Sequence, residues 1–226
     1  MKLLVFLHRW LGTVTCLFFL LWFVSGIVMM YAEMPELTRE EHLAALPPLD
    51  AARARLSAAE AIDRAQLDYF SDIWLTSLFG RPVWSVRTEG TWCTVFADTG
   101  EVKRTFSYEE TLPSIQPFLS AGAHPRLIAA LVEPDQWTVG GNYQGLRPLY
   151  HVALDDSART ELYIAAATGQ VVLRSTARTR MLAWAGAIPH WIYLTGIRKH
   201  GAFWSQLVIW LSATGCLAAL LGLAVG

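Results

Sequence analysis

From Trp10 to Tyr31 the chain runs for 22 residues without a charged side chain, and the same holds from Ala202 to Val225. At 1.5 Å of rise per residue, a helix of the first length reaches about 33 Å, which matches the hydrocarbon core of a bilayer. Two such runs near the ends of one chain point to two membrane helices with everything else between them. The composition agrees, since 54% of the residues are hydrophobic and 16% charged, too oily a mix for an ordinary soluble domain. The segment between the runs has ordinary charge, ample Gly and Pro, and enough length to bury a core of its own.

Lys2 and Arg9 precede the first run as the basic region of a signal peptide would. The run is longer than a usual signal core, however, and its exit, Met29-Met30-Tyr31-Ala32-Glu33-Met34, offers no small-x-small cleavage site. An uncleaved helix is expected. Lys2 and Arg9 on one side, against Glu33, Glu36, Glu40 and Glu41 on the other, place the N-terminus in the cytoplasm. Arg198 and Lys199, just before the second run, go against that rule, but long loops translocate largely regardless of charge.

The formal net charge is −1, with no basic stripe interleaved with aromatics, so nothing supports nucleic-acid binding. Cys16 and Cys216 fall inside the apolar runs. Cys93 lies between them with no partner, and reads as a small buried hydrophobe. No Cys/His metal spacing, Ser/His/Asp set or paired-carboxylate arrangement is present, so a hydrolase has no support. Asp155-Asp156 and Glu109-Glu110 read as solvated loop charge, and His42, His124 and His151 as surface or core residues with local partners.

Ser57-Ala58-Ala59-Glu60 has the form of a capping box, and Ala58, Ala61, Ile62 and Ala65 keep a helical period after it. Arg81 to Arg87 and Trp92 to Ala97 read as two strands, separated by Glu89-Gly90 and closed by Asp98-Thr99-Gly100. The order returns later, with Arg147 to Ala153, Leu162 to Ala166 and Thr168-Gly169-Gln170-Val171, preceded by an expected helix around Arg126 to Leu131. Arg81-Pro82 matches Arg147-Pro148, and Thr99-Gly100-Glu101-Val102 matches Thr168-Gly169-Gln170-Val171. A helix and hairpin that cannot cover their own apolar face are expected to pair with a second copy.

The repeated helix, then Arg-Pro-Val-Trp-Ser-Val-Arg, then a strand ending in Asp-Thr-Gly-Glu-Val, resembles the PepSY module. Leu7-His8-Arg9-Trp10-Leu11-Gly12 resembles the opening of the first membrane segment of PepSY-associated transmembrane proteins of bacteria. The fold expected is therefore membrane α-helical with an α+β extracytoplasmic domain. Two transmembrane helices, within 1–32 and 201–226, flank a periplasmic domain over 33–180 and an interfacial segment over 181–200. The domain holds two PepSY-like helix-plus-hairpin units, about 55–105 and 120–175. The resemblance implies an inner-membrane protein linked to iron acquisition, with relatives that look like haem-bearing reductases of ferric siderophores and use membrane histidines as haem ligands.

His8 is the first candidate ligand for haem b, because an ionisable residue in a membrane segment asks for a reason and imidazole is a standard axial ligand. With Arg9 and Trp10 it reads equally as an interfacial anchor. His190 lies in a stretch from Met181 to Ile197 that Gly186, Pro189 and Gly196 interrupt too often for it to span, and is the second candidate. His200, beside Arg198 and Lys199, is the third, with a solvated rim position as its other reading. By helix rise, His8 and the later pair stand on the order of 30 Å apart, so one haem cannot join them. Each histidine then needs a partner from a further helix or another subunit. The apolar end at Leu220 to Gly226, without a basic anchor, leads to the same expectation of additional helices. A non-enzymatic binding or regulatory module, or an importer subunit, stays open beside electron transfer to ferric chelates. Iron reduction itself requires no catalytic acid or base motif.

Overall fold

The computed structural model describes residues 2–225, which form two compact units. One is Pro35–Ala177; the other combines Met1–Met34 with Arg178–Gly226. The second unit contains the two helices long and apolar enough to cross a membrane: α1 (Lys2–Met29) and α8 (Gly201–Val225). α1 begins well before Trp10 because Leu3 to Leu7 carry the apolar sequence on without a breaker, so His8 lies inside the helix. Between them in sequence come α5 (Ala177–Ala185), α6 (Ala187–His190) and α7 (Thr195–Arg198). α5 breaks from α6 at Gly186. A Cβ there would sit 3.0 Å from the Val28 side chain, so glycine eases the close approach of this corner to α1.

The 35–177 unit is built twice from the same parts. In the first copy, α3 (Ala58–Ala65) precedes an antiparallel meander of β1 (Asp72–Leu78), β2 (Arg81–Thr88), β3 (Thr91–Phe96) and β4 (Val102–Lys103). In the second, α4 (Tyr108–Thr111) and a 3-10 turn over Leu112–Phe118 precede β5 (Pro125–Leu131), β6 (Leu149–Leu154), β7 (Glu161–Ala165) and β8 (Val171–Ser175). A short helix, α2 (Arg39–Ala45), comes before both copies, capped by Thr38 and Glu41. Both helices that open the copies start with a reciprocal cap: Ser57 with Glu60, and Ser107 with Glu110.

Backbone hydrogen bonds make the duplication explicit. The Ala97 amide donates to Pro82 O (2.8 Å) and the Ala166 amide to Pro148 O (3.0 Å). Gly100 donates to Phe96 O (2.7 Å) as Gly169 does to Ala165 O (2.8 Å), and both glycines have positive φ. Leu56 and Phe106, each one residue before a capping serine, donate to Ala97 O and Ala166 O. The cores also correspond. Ala61 and Ala65 pack on Val86, Cys93 and Val95 of the first sheet, and Ile115 packs on Val152, Leu162 and Ile164 of the second. Cys93 is buried there, and desolvation pushes its thiol pKa up, which keeps it an inert hydrophobe.

Three expectations need correction. Arg126 to Leu131 is not a helix but the edge strand β5, paired along β6. The short run Leu127-Ile128-Ala129-Ala130-Leu131 has no periodicity that separates helix from strand, and lateral hydrogen bonding to β6 decides it. The helix of the second copy lies instead at Tyr108–Thr111, announced by Ser107-Tyr108-Glu109-Glu110. Each copy is thus a helix and four strands rather than a helix and a hairpin. Nor are all the loop carboxylates simply solvated: Glu110 closes a cap and pairs with Lys103, and Asp156 accepts from the Thr160 amide (2.8 Å) and hydroxyl (2.6 Å).

The two Arg-Pro corners share a backbone hydrogen bond but neither the peptide isomer nor the chemistry: Arg147-Pro148 is cis, whereas Arg81-Pro82 is trans. Arg81 grips Asp98 with two bonds, Nε to Oδ2 at 2.9 Å and Nη2 to Oδ1 at 2.8 Å, over the Phe96 ring. Arg147 donates to the carbonyls of Glu133 (2.9 Å) and Thr138 (3.0 Å). The Arg81 fork holds the Asp98 carboxyl below the usual carboxylate range. Because the folded pKa is depressed, its contribution is complete above the ordinary aspartate pKa and is lost as pH falls through the folded value. Asp98→Asn is expected to destabilise the domain by about 2 kcal/mol at neutral pH, with a smaller difference from wild type in strong acid, read by thermal unfolding across pH.

Candidate functional site

α1 and α8 lie antiparallel and in contact. Their approach is close at Gly215, where a Cβ would sit 3.2 Å from Phe19 Cζ, and at Ala218, which is buried. Small residues allow such approach where no hydrophobic effect drives helices together. The outer faces remain exposed and apolar, with Leu17, Phe23, Ile27, Trp210 and Leu223 all more than half exposed. Four hydroxyls inside the helices are satisfied within their own helix. Thr13 and Thr15 donate to Arg9 O and Leu11 O (both 2.8 Å), Ser25 to Leu21 O (2.6 Å) and Thr214 to Trp210 O (2.7 Å). These faces suit hydrocarbon.

His8 is half-buried against α8, with Nδ1 3.1 Å from Ala218 O. A carbonyl only accepts, so Nδ1 carries the proton, and in the neutral ring Nε2 keeps its lone pair. His190, the last residue of α6, is half-buried against α1. Its Nδ1 is 3.1 Å from both Trp22 O and Ser25 Oγ. The Ser25 hydroxyl already donates to Leu21 O, so the same tautomer follows. Neither Nε2 has a hydrogen-bond partner among the described residues.

The two rings meet α1 at position 8 and around positions 22 to 25, about 21–26 Å apart along its axis. They stand near opposite ends of the helix pair and do not come together. His200 is exposed just before α8, and its carbonyl accepts from the Trp204 amide (2.9 Å). Around it Arg198 stacks over Trp204 (4.6 Å) and Tyr193 (5.2 Å), and Trp204 Nε1 donates to Trp191 O (3.1 Å). Aromatic rings and one cation in such a cluster match a headgroup-level belt. Beside His190, an apolar recess of about 370 Å³ opens among Phe18, Leu21, Trp22, Trp184, Ile188 and Leu211.

The donor set fits haem iron. Each ring offers one imidazole nitrogen, oriented by a hydrogen bond from the other nitrogen, in apolar surroundings. No cluster of three His, Cys, Asp or Glu side chains suited to a bare metal ion occurs among the described residues. Of the other histidines, His151 Nε2 lies 2.9 Å from Glu161 Oε2 with its ring stacked on Tyr163, and His42 is partly buried, which lowers its pKa. Sequence reasoning misses Ser25; a hydroxyl near the end of an uncharged run is its only signal.

The 35–177 unit has an open cleft of its own, about 820 Å³, between the β2–β3 hairpin tip and residues 141–146. Tyr69, Asp72, Arg87, Trp92, Asn142 and Gln144 line it. Comparison with protein families, curated proteins and solved structures finds no match to this chain.

The closeness of the helix pair is open to test. Gly215→Leu is expected to cost about 1–3 kcal/mol through overpacking against Phe19, seen as a lower unfolding midpoint of the full chain in detergent. Gly196→Leu, with open space around it, should leave the midpoint unchanged.

Proposed function

We propose that this chain is a membrane electron-transfer protein that holds b-type haem through His8 and His190 and delivers electrons to a ferric chelate on the side of the 35–177 unit. The observation that carries the reading is that two of the three histidines of the helical unit, His8 and His190, have Nδ1 tied to a helix carbonyl and Nε2 left to coordinate. When bound, haem supplies a one-electron iron couple. The chain's own residues orient the coordinating nitrogens and, through the apolar faces of α1 and α8, exclude water from them. His8 and His190 would each hold the iron through Nε2, with any further ligand coming from another helix or another subunit. His200, exposed among rim residues, has no ligand role here. The charge asymmetry around α1 supports an N-terminus in the cytoplasm and a 35–177 unit in the periplasm of a bacterial inner membrane. The resemblance to PepSY-associated proteins and the duplicated helix-and-sheet units support the same assignment.

The aromatic and charged cleft favours a second reading, a non-enzymatic binding module whose polar ligand sits against Trp92 and Arg87. Difference spectra separate the two. Membranes containing the full chain, from haem-replete cells, should show a reduced-minus-oxidised b-type band. His8→Ala and His190→Ala should each remove about half of it, the double variant all of it, and His200→Ala none. A wild-type preparation without the band rejects haem binding and leaves the binding module. For orientation, in a background lacking Cys16, Cys93 and Cys216, Glu36→Cys should react with an impermeant thiol reagent in intact spheroplasts, and Lys2→Cys only after lysis.

A further inference from the structure

The two histidines sit in sockets of one design. His8 bonds the carbonyl of Ala218, and its ring lies over Gly222, four residues on, where a Cβ would come 2.9 Å from His8 Cε1. His190 bonds the carbonyl of Trp22, and its ring lies over Gly26, also four residues on, where a Cβ would come 3.2 Å from His190 Cε1. In an α-helix the amide of residue i+4 already donates to carbonyl i, and a side chain at i+4 covers the approach to that oxygen. Glycine at i+4 uncovers it. The carbonyl can then accept a second proton, from an imidazole lying flat on the helix.

We propose that Gly26 and Gly222 are positioning residues, each opening a helix carbonyl that fixes its histidine as the Nδ1–H tautomer and leaves the Nε2 lone pair free to coordinate. The geometry holds for any coordination by these rings; its role in haem binding rests on the function proposed for the chain. The arrangement recurs with exchanged partners. On α8 the glycine serves a histidine of α1, whereas on α1 it serves a histidine of α6. Neither glycine is explained by a turn or by positive φ, since both lie within regular helix. Gly12, also in α1, supplies the comparison, because a Cβ added there would meet nothing within 4 Å.

The test uses the full chain in lipid nanodiscs with 15N-labelled histidine, first without haem and then titrated with haemin. Wild-type protein should show Nδ1–H signals for His8 and His190. Gly222→Ala should abolish that of His8 and keep that of His190, which also reports that the helical unit is folded. Gly26→Val should do the reverse, and Gly12→Ala should change neither. Haemin affinity at the affected site should fall about tenfold or more, the size expected when the group orienting a ligand is lost. Persistence of the His8 Nδ1–H signal in Gly222→Ala overturns the proposal. Loss of that signal in a protein that binds no haemin upholds the socket and rejects the haem reading instead.

Discussion

Hydrocarbon offers no water to a polar group, and that constraint orders the helical unit. The hydroxyls of Thr13, Thr15, Ser25 and Thr214 each donate to a carbonyl one turn back. The histidines cannot do so within their own helices, so they reach across to a neighbour. The cross-helix contact and the chemistry of the site are consequently one interaction. α1 meets α8 at glycine and alanine, where an imidazole of one helix donates its proton to a carbonyl of the other.

The 35–177 unit solves a different problem, how to bury apolar surface in water with short elements. An eight-residue helix and a four-stranded meander cannot enclose a core alone. Two copies, joined through Phe106, do. Its ring meets Phe79 and Phe96 of the first copy, its amide donates to Ala166 O, and its carbonyl accepts from the Tyr150 hydroxyl (2.8 Å) in the second.

Much of this was legible in the sequence where the local signal is strong. Uncharged length revealed α1 and α8, the Ser57 cap revealed α3, and the paired Thr-Gly corners revealed the duplication. β5 was not legible, because an apolar run of five residues takes its structure from the strand beside it. β1 and β8 likewise take their structure from the strands beside them, β2 and β7. At the site, His8 and His190 stood out as ionisable groups in apolar context. Their hydrogen bonds did not, since the acceptors are backbone carbonyls, which every residue carries, and only the tertiary approach selects which one is used.

The Arg-Pro corners show what duplication preserves. Backbone bonds at Pro82 and Pro148 agree within a few tenths of an ångström, yet one arginine is neutralised by a carboxylate and the other is solvated by amide oxygens. The corner's backbone hydrogen bond is what the copies share, while the peptide isomer and the charge around it differ. The two corners thus differ in how a proton reaches them: at the first it meets the carboxylate that the arginine grips directly, and at the second it meets Asp135, one hydrogen bond removed from the arginine through Thr138.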